Sequence, residues 1–261
     1  MDLHLMGKSA VVTGASKGIG LAAVQALAAE GAHVVAGART SSADLEVLVA
    51  GGRVEFLPVD LATPAGPASL IEHALGRGRL DILVNNVGAV TPRPDGVTAV
   101  SDSDWDSTLN LGLMAAVRTI RAAVPGMVAA GGGAVITISS VNASLPDPLV
   151  VDYSATKAAL TNYCKSLSKE VGPRGVRVNT ISPGPVETAL WLGEHGVAQV
   201  VSHAGASTPA EVAAAAAAQA VTGRFTRPEE VADLVLILAS DRFANVTGAD
   251  FRIDGGLVQT L

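Results

Sequence analysis

Thr13-Gly14-Ala15-Ser16-Lys17-Gly18-Ile19-Gly20 follows a short β-branched run and leads straight into an alanine-rich segment. A strand, a glycine turn and a helix in that order make an anion cradle. Glycines let the backbone turn sharply and approach a pyrophosphate closely, and the helix amino terminus offers unpaired N–H donors and a positive dipole end. The spacing Gly14, Gly18, Gly20 is not the plain GxGxxG, although Gly18, Gly20 and Ala23 satisfy its form ending in Gly or Ala.

Outward from that turn the same rhythm repeats. β-Branched runs at residues 10–13, 33–37, 54–58, 82–84, 134–139, 177–181 and 250–253 alternate with helical patterns at 18–30, 42–50, 68–75, 102–130, 152–171 and 228–239. Strands that are apolar throughout need cover on both faces, and crossovers between parallel strands are right-handed. The expected fold is therefore α/β: a Rossmann-like, doubly wound sheet of seven parallel strands with helices on both faces. Without an internal repeat or a Pro/Ser-rich linker, one domain over 1–261 is the simplest division. Only residues 187–223, with six consecutive alanines at 213–218, break the rhythm. An insertion after the sixth strand, at its carboxyl edge, suits a substrate lid, and a helical hairpin that merely packs would look the same.

Composition narrows the partners. Of 261 residues 49% are apolar and 16% charged, enough for a core and too few charges for a disordered chain. A net charge of -6 provides no basic field for a phosphate backbone, so nucleic acid is not an expected partner. The lone Cys164 excludes an internal disulfide and suits a reducing compartment. Residues 1–8 begin acidic with a short apolar stretch, and the uncharged run at 122–146 is broken by Pro125 and Gly131 to Gly133. A cytoplasmic protein without a membrane span is expected. The five histidines lack metal-ligand spacing, and no metal is expected.

The second strand should end at Gly37-Ala38-Arg39-Thr40-Ser41, where an NAD site would place a carboxylate on the ribose 2'-hydroxyl. No carboxylate occurs before Asp44. Arg39 and Lys17 offer two cations for a 2'-phosphate instead, each charge-assisted contact contributing about 1.5 to 3 kcal/mol. NADP(H) is the cofactor expected, with solvated cations, or Arg39 stacked on adenine, as the plainer alternative.

At the other end of the expected site, Ser139 and Ser140 close the fifth strand, Tyr153 follows thirteen residues after Ser140, and Lys157 lies four further on, on the same helical face. A phenol titrates near pH 10 and is a weak base at neutrality. An ammonium about 4 Å away at an effective dielectric of 20 would lower that by roughly 3 pKa units, desolvation aside. The expectation is an acidified Tyr153.

Together these motifs resemble the classical short-chain dehydrogenase/reductase family, over essentially the whole chain. The resemblance also rests on Asp60, on Asn85-Asn86-Val87-Gly88, on Pro183-Gly184-Pro185-Val186-Glu187-Thr188, on Asn110, and on Thr247-Gly248 with Asp254-Gly255-Gly256. Val87 stands where the family more usually has alanine, and Lys17 with Arg39 matches its NADP(H)-preferring members. The resemblance implies a tetrad of Asn110, Ser140, Tyr153 and Lys157. In it Tyr153 exchanges a proton with the substrate oxygen, Ser140 hydrogen-bonds that oxygen, Lys157 lowers the phenol pKa and binds the nicotinamide ribose, and Asn110 holds a water leading from Lys157 to solvent. It implies cofactor contacts from Gly14, Ser16, Lys17, Gly18, Ile19, Gly20, Arg39, Thr40, Asp60, Leu61, Asn86 and Gly88. Further contacts are implied from Tyr153, Lys157, Pro183, Gly184, Val186 and Thr188. Substrate contacts would come from Ser140, Asn142, Leu145, Tyr153, Pro185 and Trp191, with Trp191 equally suited to anchoring the lid.

The activity implied interconverts a ketone and a secondary alcohol, as a carbonyl reductase on a largely apolar substrate such as a 3-oxoacyl, polyketide or cyclic ketone. An NAD-dependent alcohol dehydrogenase and a non-catalytic NADP(H)-binding scaffold remain alternatives. A homotetramer, or a homodimer, follows from the resemblance alone.

Overall fold

The computed structural model describes residues 1–260; Leu261, the last residue of the expected domain, lies outside the described residues. Seven strands form one all-parallel sheet: β1 (Ser9–Thr13), β2 (His33–Ala38), β3 (Val54–Pro58), β4 (Ile82–Asn85), β5 (Gly133–Ile138), β6 (Val176–Pro183) and β7 (Asp250–Ile253). Their order is β3-β2-β1-β4-β5-β6-β7. The order reverses between β1 and β4, and a crevice opens beyond the carboxyl ends of strands at such a switch point. Both the glycine turn after Thr13 and the segment after Asn85 open there.

The alternation of side chains within each strand builds two cores. Ala10 and Val12 of β1, Ile82 and Val84 of β4, and Ile136 of β5 join one core, while Val11, Leu83 and Val135 point to the other. Helices α1 (Gly18–Ala29), α2 (Ala43–Ala50) and α10 (Pro228–Ala239) cover the first face through residues such as Leu27, Leu45 and Val235. Helices α3 (Gly66–Leu75), α5 (Ala115–Ala129) and α6 (Val151–Val171) cover the second through Leu70, Ile120 and Leu160. Fully burying a Leu or Ile of this kind contributes about 1.5 to 3 kcal/mol, so the sheet is held from both sides.

Two regions depart from the expected elements. The single helix expected over 102–130 is instead α4 (Asp102–Leu109), a π turn at Asn110–Met114, and α5. Its combined length and apolarity would suffice for a membrane span, but the buried side of α5 is spent on the second core. A Cβ on Gly112 would come within 2.7 Å of Thr156 Cγ2, so the turn lies directly against α6, and one extra residue widens the helix there.

The second departure is the 187–223 insertion, which forms α7 (Ala189–Leu192), α8 (Val197–Ala204) and α9 (Pro209–Gln219). Helix α9 begins with a capping box between Thr208 and Glu211, and Trp191 meets Phe225 edge to face at 5.3 Å between ring centroids.

Candidate active site

A cavity of about 1110 Å³ runs along the carboxyl edge of the sheet, from the end of β2 past the glycine turn to α6 and α7–α9. Pockets for drug-sized ligands fall at about 300 to 1,000 Å³, so this space exceeds what one small molecule needs.

The glycine turn forms its floor. Gly14 and Gly18 adopt φ of 65° and 55°, and a Cβ on Gly14 would lie 2.9 Å from the Val87 backbone. Only glycine meets both demands. Asn86 clasps the turn, its Nδ2 donating to the carbonyls of Thr13 (3.0 Å) and Gly14 (3.1 Å), while Thr13 Oγ1 accepts from the backbone of Asn86 and Val87. Helix α1 carries no side-chain cap at Lys17 and no carboxylate in its first turn. Its leading N–H groups therefore stay available to an anionic ligand. Lys17, Arg39, Thr40, Ser41 and Ser42 line the same end, with Lys17 and Arg39 exposed.

Tyr153 and Lys157 project from α6 into the middle of the cavity, opposite Ser140 at the end of β5. Lys157 is almost wholly buried. Its Nζ donates to the Ile138 carbonyl at 2.8 Å and lies 5.6 Å from the Tyr153 ring centroid. The expected acidification of Tyr153 is not found: burial raises its pKa above the ordinary phenol value, with the neighbouring Ser140 hydroxyl pulling the other way. The physical reason is burial of the phenol itself, with no offsetting pull from Lys157. Burial pushes Lys157 down to about 8, and its donor is directed at a carbonyl rather than at the phenol.

Ser139 is held by Thr161 at 2.6 Å. Ser140 instead stays on the cavity wall, where its Oγ donates to Asn142 Oδ1 at 3.1 Å and accepts from Asn142 N at 3.2 Å.

A family model described as Enoyl-(Acyl carrier protein) reductase matches residues 14–258. The 3-oxoacyl-[acyl-carrier-protein] reductase FabG of Escherichia coli is 33% identical over 258 residues, covering 98% of this chain and 99% of the relative. The chain belongs to the short-chain dehydrogenase/reductase family. Within that family it is also 36% identical over 267 residues to the D-threitol dehydrogenase of Mycolicibacterium smegmatis, covering 98% of this chain and 94% of that one. The crystal structure of L-sorbose reductase from Gluconobacter frateurii, complexed with NADPH and L-sorbose, superposes with a TM-score of 0.91 at 37% identity over all of both chains.

Nearly all the residues singled out by resemblance to the short-chain family meet in the one cavity. Ser16, Ile19, Asp60, Leu61, Asn86 and Gly88 line it with the glycine turn, and Pro183, Gly184, Val186 and Thr188 line it from the end of β6. Asn142, Leu145, Pro185 and Trp191 line the part around Tyr153. Of the residues implied as catalytic, cofactor or substrate contacts, two do not reach it. Gly20 lies behind the turn, where a Cβ would stand 2.2 Å from the Gly14 carbonyl oxygen, so its smallness serves packing. Asn110 sits at the π turn, donating through Nδ2 to the Ala62 carbonyl and accepting from Arg118 through Oδ1, both at 2.7 Å.

Leu111 was not foreseen, nor which residues of the expected 187–223 lid would face the cavity. Leu111, Val201, Val212, Ala215 and Gln219 line the cavity from the π turn and from α8 and α9. Their helices look locally like any amphipathic surface helix, so nothing short of the tertiary placement marks them.

Proposed function

We propose that this protein is an NADP(H)-dependent oxidoreductase that interconverts a ketone and a secondary alcohol. One observation carries the reading: Ser140, Tyr153 and Lys157 open onto the same continuous cavity as the uncapped start of α1 and the cations Lys17 and Arg39.

The residues present fit the cofactor. Gly14 and Gly18 make the sharp turn at positive φ, the α1 amino terminus suits a pyrophosphate, and Lys17 with Arg39 suits a 2'-phosphate. When bound, NADP(H) supplies or accepts the hydride in the reaction alcohol + NADP⁺ ⇌ ketone + NADPH + H⁺. Tyr153 gives the carbonyl oxygen its proton in reduction and removes it in oxidation, and Ser140 donates a hydrogen bond to that oxygen. Lys157, fixed by Ile138, binds the nicotinamide ribose. Asn110 acts as a positioning residue that ties the π turn to Ala62. In this reading 187–223 is the lid of a single domain, the protein works in the cytoplasm on a small carbonyl or alcohol, and the chains assemble as homotetramers.

A screen of ketones with NADPH and NADH, followed by cofactor absorbance, tests the reading. Turnover with tighter binding of NADPH is expected. Tyr153→Phe should keep NADPH affinity and lose about a hundredfold to ten-thousandfold in kcat, the span typical of a general acid–base group. Equal preference for NADH, or a fully active Phe variant, overturns it. Sedimentation reporting a stable monomer removes the tetramer.

A further inference from the structure

The charge around the catalytic group is one-sided. Residues 122–156 and 178–223, which supply β5, the Ser140 loop, the end of β6 and α7–α9, contain no lysine or arginine. They do carry Asp147 and Glu211, and both line the cavity. Among the described residues, the cations lining the cavity are Lys17 and Arg39 at the glycine-turn end and Lys157, whose ammonium is directed at the Ile138 carbonyl.

Both carboxylates are exposed to solvent at the cavity wall, and hydrogen bonds hold them in place. Asp147 Oδ1 accepts from Leu149 N at 2.9 Å, and Glu211 Oε2 accepts from Thr208 N at 2.7 Å and Thr208 Oγ1 at 2.9 Å. Each leaves acceptor capacity over, because a carboxylate offers about four lone-pair sites. Such groups accept hydrogen bonds from hydroxyls. They repel a carboxylate or phosphate, which finds no cation partner beside them.

We propose that the cavity around Tyr153 selects an uncharged substrate bearing hydroxyl groups and rejects anionic congeners, through Asp147 and Glu211 and the lack of a free cation in its walls. This deepens the oxidoreductase reading and rests on it. It also narrows the substrate class: a polyhydroxy ketone or alcohol fits these walls better than an oxo acid or a substrate tethered through a phosphodiester.

Matched pairs test it. L-Sorbose and 5-ketogluconate present the same ketone and the same stereocentres, and differ by a hydroxymethyl group in place of a carboxylate. 4-Hydroxycyclohexylmethanol and 4-hydroxycyclohexanecarboxylate make the corresponding pair for oxidation. The wild-type enzyme should favour the neutral member of each pair at least tenfold in kcat/KM, and calorimetry on the NADP-loaded enzyme should give the same order in Kd. The double variant D147N/E211Q, which keeps the size of both side chains, should shrink that preference severalfold, and added salt should do so in the wild type. Preference for the anions, or a neutral preference untouched by the double variant, overturns the inference and leaves the oxidoreductase reading standing. Turnover and binding of none of the four, while other ketones of the screen are reduced, overturns the inference alone; no turnover of any ketone with either cofactor overturns both.

Discussion

Arg93 Nη2 lies 2.6 Å from Asp152 Oδ2, and Asp152 immediately precedes Tyr153 on α6. The same guanidinium reaches Asp104 on α4 at 2.8 Å, Thr108 of α4 donates to the same Asp152 oxygen at 2.8 Å, and Arg93 N donates to the Leu149 carbonyl at 2.7 Å. The segment after β4, helix α4 and the start of the catalytic helix are thus tied at one point. Burial opposes ionisation of Asp152, but hydrogen bonds from Arg93 and Thr108 outweigh it and hold its pKa below the usual carboxylate value. Removing one partner of a buried pair leaves the other charge uncompensated. Arg93→Ala should therefore cost about 3–5 kcal/mol in unfolding free energy, measured by urea denaturation. A loss below about 1 kcal/mol, the range of an exposed pair, would show that the pair is not buried in solution.

The state of Lys157 can be read from stability against pH. Its folded pKa of about 8 lies below the ordinary 10.5, so between those values the unfolded chain binds the proton more tightly. Stability therefore rises with pH across that window. Relative to Lys157→Met, the wild type should gain about 3 kcal/mol between pH 8 and 10.5, at 1.36 kcal/mol per pKa unit. Parallel stability curves for the two proteins would place the ammonium in a solvated setting.

Tyr153 gives the opposite signature. With its pKa raised by burial, the phenol is the proton donor over the neutral range, and the phenolate needed for alcohol oxidation forms only at alkaline pH. The kcat/KM for oxidation should climb with pH beyond 8, and that for reduction should fall only at the alkaline end. An oxidation plateau reached below pH 7 would mean that the bound cofactor reverses the effect of burial.

The cofactor phosphate is addressed through Lys17 and Arg39. Replacing either with Ala should weaken NADPH binding by about tenfold to a hundredfold, the worth of one charge-assisted contact, while NADH affinity stays level. An equal loss for both dinucleotides would assign the side chain to the pyrophosphate or the adenine instead.

Gly20→Ala probes the turn from behind. The added methyl would stand 2.2 Å from the Gly14 carbonyl oxygen, a backbone atom that cannot swing aside. Loss of NADPH binding together with a lower melting temperature is expected; a fully stable variant with unchanged affinity would contradict the packing.

Much of this protein is written in local patterns. The seven strands, the glycine turn and the one-sided placement of Tyr153 and Lys157 depend on periods of two and 3.6 residues and on glycine's access to positive φ, and these act over a few neighbours. The structure places each of those elements within a few residues of its expected position. What local pattern does not carry is set by atoms distant in the chain. The π turn packs Gly112 against Thr156, the Asn110 side chain bonds to Ala62 and Arg118, and the Arg93–Asp152 tie joins residues 59 positions apart. The pKa of Tyr153 belongs to that second group. Spacing along one helix brings the lysine near, but burial sums over every element around the ring and raises the phenol pKa.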